Sequence, residues 1–112
     1  MRKLPTPYQE FARKHKAVWK AYDELGAACH RSGPLAPKVR ELVKLGMAVG
    51  ARMEGAVHAH TRRALEVGAT PDEIRHAVLL AVTTLGFPTT MAVLTWVEDI
   101  LRPRKGSRAR RR

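Results

Sequence analysis

The chain has 112 residues, a length for one domain, and its 45% hydrophobic and 28% charged residues exclude a disordered or fibrous protein. Its longest unbroken apolar run, Ala77 to Val82, falls far short of the roughly 20 residues that span a bilayer, and MRKLPTPYQE has no apolar leader core. The net charge is +11, and a single cysteine, Cys29, excludes an internal disulfide and any paired-cysteine redox or zinc motif; a soluble cytoplasmic protein is expected.

Thr6-Pro7-Tyr8-Gln9 reads as a capping box, with Thr6 capping, Pro7 first in the helix and Gln9 reaching back. Phe11, His15, Val18, Tyr22 and Leu25 follow at spacings of three and four, which predicts one amphipathic helix ending near Arg31, before Ser32-Gly33-Pro34. A second helix is expected over about 37–50, with Val39, Leu42, Leu45 and Val49 on its apolar face. A third covers about 53–67 and ends at Gly68 in a left-handed cap. Thr70-Pro71-Asp72-Glu73 is a second capping box and opens a fourth helix through about Leu85. Gly86-Phe87-Pro88 breaks it, and a fifth helix runs over about 89–101. No stretch alternates with period two for long, so the fold class is all-α, a small bundle of about five helices within a single domain, residues 1–101.

The last segment, residues 102–112, reads RPRKGSRARRR. It holds seven basic residues and no acid, whereas the first 101 residues hold 14 basic against 10 acidic. Pro103, Gly106 and mutual repulsion oppose a helix there, so a disordered tail is expected. Such a tail suits nonspecific contact with nucleic acid or another anionic surface, or simply aids solubility; it offers no aromatic on which a base stacks. In the fourth and fifth helices apolar residues occupy most of the circumference, Leu79, Leu80, Val93, Leu94, Trp96, Val97 and Ile100 among them. Five short helices can hardly cover such surfaces alone, which predicts a homo-oligomer with these helices in its interface.

The third helix carries the candidate chemistry. At 100° per residue His60 falls among Met53, Ala56, Val57, Ala64 and Val67, an imidazole inside an apolar stripe. Burial there favours the uncharged ring unless an acid lies close. His58 lies about 160° away on a flank with Glu54 and Arg62, one turn to either side, which resembles a solvated ion-pair face. Residues two apart on a helix do not converge, so His58 and His60 are not expected to chelate one metal, and no cofactor motif is present. Glu41 sits at the margin of the second helix's apolar face. Cys29, near the C-terminal end of its helix, reads as a structural thiol rather than a nucleophile.

His60, Ala64, Gly68, Thr70, Glu73 and Ile74 spell H-x-x-x-A-x-x-x-G-x-T-x-x-E-I. This resembles the signature of the carboxymuconolactone decarboxylase and alkylhydroperoxidase D superfamily. Arg40-Glu41-Leu42-Val43 and Leu85-Gly86-Phe87-Pro88 fall where members carry similar segments, so the resemblance covers about 37–101. It implies an all-helical bundle assembled as trimers or hexamers. In the thiol peroxidase branch a glutamate is followed twelve residues on by a CxxC pair and then by a histidine. Glu41 and His60 match the glutamate and histidine, but the cysteine positions are Met53 and Ala56. A peroxidase of that type needs one thiolate to attack peroxide and a second thiol to resolve the sulfenic acid. The resemblance therefore implies acid–base chemistry on a small carboxylated substrate, as in the decarboxylase branch. His60 would move the proton and Glu41 would orient it, with His58 as a second candidate, and Arg52, Arg62 or Arg63 would meet the substrate carboxylate. The alternative is a non-catalytic oligomeric scaffold whose basic tails bind anions or nucleic acid.

Overall fold

The computed structural model describes residues 4–102; the basic tail beyond Arg102 lies outside the described residues. Among them the chain forms six α-helices and one 3₁₀ turn and no strand. Its internal contacts divide it into two units, Met1–Pro34 and Leu35–Arg112.

The first unit holds α1 (Thr6–Lys14) and α2 (Lys16–Arg31). The single long helix expected here is broken at His15, whose backbone leaves the helical region at φ −126°, ψ 62°. Neither glycine nor proline causes the break; aromatic packing accompanies it. The Phe11 ring lies 4.8 Å from His15 and 6.3 Å from Trp19, which in turn lies 5.9 Å from Tyr22. In an unbroken helix, residues 11 and 19 would be separated by about 12 Å of rise. The Thr6 capping box is also absent. Pro5 occupies the cap position, and the Gln9 amide donates to the Leu4 carbonyl instead.

The second unit holds α3 (Pro37–Ala51), α4 (Glu54–Glu66), α5 (Pro71–Leu79), a 3₁₀ turn (Leu80–Thr83) and α6 (Phe87–Leu101). Proline stands in the first turn of α3, α5 and α6, where its missing N–H has no intrahelical partner to lose. The Thr70 capping box is present: Glu73 N–H donates to Thr70 Oγ1 and Thr70 N–H donates to Glu73 Oε1, each at 3.0 Å. The fourth helix stops earlier than its pattern suggests. After Leu79 the chain tightens into the 3₁₀ turn, and the amides of Leu85 and Gly86 both donate to the Ala81 carbonyl. Gly86, at φ 104°, then caps α6, which starts at Phe87, two residues before the expected position.

α4 packs between α3 and α6, and α5 and the 3₁₀ turn close against α6. The core is Leu45, Ala48 and Val49 from α3, Val57 and Ala64 from α4, Ile74 and Val78 from α5, and Val93 and Val97 from α6, with Ala69 and Ala81. Two faces are rotated from the periodicity reading. On α3 the buried positions are Glu41, Leu45, Ala48 and Val49, while Val39 is exposed. On α4 they are Val57, Thr61 and Ala64, so His60 stands at the border of the stripe and Met53 and Val67 lie outside it. Both rotations follow from the α3–α4 contact, which a helical projection of either helix alone does not contain.

Candidate functional site

The rotation of α3 carries Glu41 inward, leaving its side chain 6% exposed, and α4 presents His60, 14% exposed, to it. The two meet through His60 Nδ1 and Glu41 Oε1 at 3.0 Å. Burial pushes the Glu41 carboxyl up, but the hydrogen bond and charge of His60, with the charges of Lys44 and Arg63, outweigh it and hold the group below the usual carboxylate range. An ionised carboxylate only accepts, so Nδ1–H donates to it and the ring's other nitrogen, Nε2, is the one that can exchange a proton. Nε2 makes no hydrogen bond among the described residues. Of the three arginines considered for a substrate carboxylate, Arg63 is the one whose charge reaches Glu41; Lys44, one turn along α3, joins it.

His58 is directed elsewhere. Its Nε2 lies 3.0 Å from Asp99 Oδ2 on α6 and 4.0 Å from Glu54 Oε2 one turn back on α4. Its side chain is only 24% exposed, so the solvated flank expected from α4 alone is half-covered by α6. The two histidines thus engage different carboxylates. Glu54, His58 and Asp99 bring three potential metal-ligand atoms within 4.8 Å of one another. Asp99 was not singled out in the sequence, because no local spacing links it to a residue on a helix so far upstream.

Where the thiol peroxidase pattern has cysteines, Met53 caps α4 and is 58% exposed, and Ala56 lies within the first turn. Cys29 is an exposed residue of α2.

Two further ion pairs tie the helices that frame the site. Arg75 grips Glu98 through two nitrogens at 2.7 and 3.0 Å, joining α5 to α6. Lys38 reaches Glu73 at 3.1 Å, joining α3 to α5. Hydrogen bonds from Arg75 hold the Glu98 carboxyl low, and those from the Thr70 backbone and Lys38 do the same for Glu73. With Glu41, three carboxylates therefore stay ionised in the folded chain at pH values where the unfolded chain, near the ordinary glutamate pKa of about 4.3, takes up protons. Their contribution is complete above that value and is lost as pH falls through the lower folded values. Acid unfolding followed by circular dichroism is expected to begin below about pH 4.3. Stability should fall less steeply with pH in Glu98→Gln than in the parent; an identical pH slope would remove Glu98 from this account.

No helix among the described residues is long and apolar enough to cross a membrane. No curated protein matches the chain. A solved structure, the apo form of a carboxymuconolactone decarboxylase family protein from Legionella pneumophila, is similar to it with a TM-score of 0.73 at 23% identity over 89% of each chain, a likeness of fold. The model of the carboxymuconolactone decarboxylase family matches residues 16–99. With three-quarters of its length inside that match and the same helical fold, the chain belongs to the carboxymuconolactone decarboxylase family.

Proposed function

We propose that this protein catalyses acid–base chemistry, a decarboxylation of a small carboxylated lactone or carbonyl compound, with His60 as the proton-transfer group and Glu41 as its positioning partner. The observation that supports it is the 3.0 Å contact between a buried, ionised Glu41 and His60 Nδ1. That contact sets one tautomer and leaves Nε2 to act. When the bond from carbon to the substrate carboxylate breaks, CO2 leaves and the electron pair remains on carbon, conjugated with the carbonyl. His60, protonated at Nε2 from solvent before the step, then delivers that proton to the carbon and returns to the Nδ1–H tautomer, so one CO2 is lost and one proton gained. Arg63 and Lys44, whose charges already bear on Glu41, hold the substrate carboxylate.

Thiol peroxidase chemistry is not part of this reading, since neither Met53 nor Ala56 carries a thiol. The test is CO2 release from carboxymuconolactone by the full chain, run beside its His60→Gln and Glu41→Gln variants and beside peroxide reduction. Release that depends on both residues, without peroxide turnover, supports the proposal. No release, or equal release by all three proteins, overturns it.

The same reading includes a homo-oligomer. The apolar residues of α6 that suggested one are largely covered within the second unit, with Val93 and Val97 fully buried. Apolar surface is left open around the 3₁₀ turn and the start of α6, where Leu79 is 54%, Leu80 59% and Phe87 62% exposed, and also on α2 and α3, at Tyr22 and Met47 among others. Sedimentation equilibrium is expected to give three or six times the 12.5 kDa of one chain. The Leu80→Glu variant should shift that mass downward; a monomeric parent protein would refute the assembly.

A further inference from the structure

The cluster of Glu54, His58 and Asp99 lies apart from the His60–Glu41 pair and has no part in the chemistry above. Glu54 opens α4, His58 follows one turn later on the same side, and Asp99 comes from the last turn of α6. Two carboxylates approach a single ring nitrogen, Asp99 Oδ2 at 3.0 Å and Glu54 Oε2 at 4.0 Å from His58 Nε2. Helix geometry sets Glu54 one turn from His58, and packing brings Asp99 of α6 to the same ring nitrogen. That nitrogen carries at most one proton, whereas a cation among the three would accept a lone pair from each. Nitrogen and oxygen ligands lie about 2.1 Å from zinc and hence about 3.4 Å from one another in a tetrahedron. The two observed separations bracket that value, and all three donor atoms fall within 4.8 Å. Glu54 and Asp99 are 55% and 50% exposed, free to make the small rotations that close the shell and to leave a further position to water. Two carboxylates also neutralise a dication, which a neutral imidazole alone does not in a chain of net charge +11.

We propose that Glu54, His58 and Asp99 form a three-ligand site for one divalent transition-metal ion of the zinc class, which clamps the start of α4 to the end of α6. The ion would join two helices already packed together, so its binding is expected to raise the unfolding temperature.

The full chain, freed of metal by chelation, is titrated with zinc alone by calorimetry, with cobalt as a spectroscopic probe of coordination. One saturable site per chain is expected, together with a zinc-dependent rise in unfolding temperature and a cobalt d–d band. Since loss of outer-shell partners already weakens metal sites by roughly 10- to 100-fold, Asp99→Asn and Glu54→Gln should each weaken binding more than about tenfold. His58→Ala should abolish it. Cys29→Ser and His76→Gln, which alter other zinc-prone side chains, should bind as the parent does. Absence of saturable binding overturns the proposal. So does zinc affinity unchanged in Asp99→Asn and Glu54→Gln, which would place the ion elsewhere. Circular dichroism of the three ligand variants, all changed at partly exposed positions, is expected to match that of the parent and serves as the check that they fold.

Discussion

His60→Gln is expected to lower CO2 release by about 10²- to 10⁴-fold, the range over which a positioned general acid or base contributes. Glutamine fills much of the space of histidine and can still donate to Glu41, so the buried carboxylate is not stranded. What it cannot do is exchange a proton near neutral pH. The loss should therefore fall on kcat, with a far-UV spectrum like that of the parent. Glu41→Gln should be milder, because its amide oxygen still accepts from Nδ1 while the charge is gone. Arg63→Gln should divide differently. A charge-assisted hydrogen bond is worth about 1.5–3 kcal/mol, or about 10- to 100-fold in affinity, and its removal should appear in KM. Were His60→Gln to leave kcat intact, the pair would be a structural contact and the proton would come from elsewhere.

Leu45→Ala is expected to be the most damaging single truncation of α3. Leu45 is fully buried, one turn beyond Glu41, in the core shared by α3, α4 and α5. Removing three carbons from a closed core loses both their transfer free energy and the contacts around the cavity, together about 2–5 kcal/mol. For a domain of this size each kcal/mol lowers the melting temperature by about 4–8 °C, so a fall of at least about 8 °C is expected. Val43→Ala on the same helix is the matched comparison. Val43 is 43% exposed, and its truncation should cost well under about 1 kcal/mol. Equal losses at the two positions would mean that the buried face of α3 is not the one described.

The matched pair also shows how far periodicity reaches. Apolar spacing on α3 favours a face through Val39, Leu42, Leu45 and Val49; Leu45 and Val49 are buried as expected, but the packed face also takes in Glu41 and Ala48 and leaves Val39 exposed. A helical wheel ranks positions by hydrophobicity alone. A carboxylate scores as solvent-facing unless its partner is known, and that partner is nineteen residues away on another helix. The break at His15 is of the same kind: no residue there forbids a helix, and contacts among Phe11, His15, Trp19 and Tyr22 accompany it. Local interactions set the Thr70 capping box and the left-handed Gly68 as spacing and residue type predict, whereas the Thr6 box, predicted on the same grounds, does not form.

Residue order alone thus established the all-helical class, most helix boundaries in the second unit and the family signature, and it singled out His60 and Glu41 as candidates, because backbone preferences and signature spacings act over a few residues. Packing established that Glu41 turns inward to meet His60, that Arg63 and Lys44 are the cations beside it, and that Asp99 joins His58 and Glu54. Those relations depend on the crossing of helices distant in sequence, and electrostatic and hydrogen-bond energies depend on distances through space rather than along the chain.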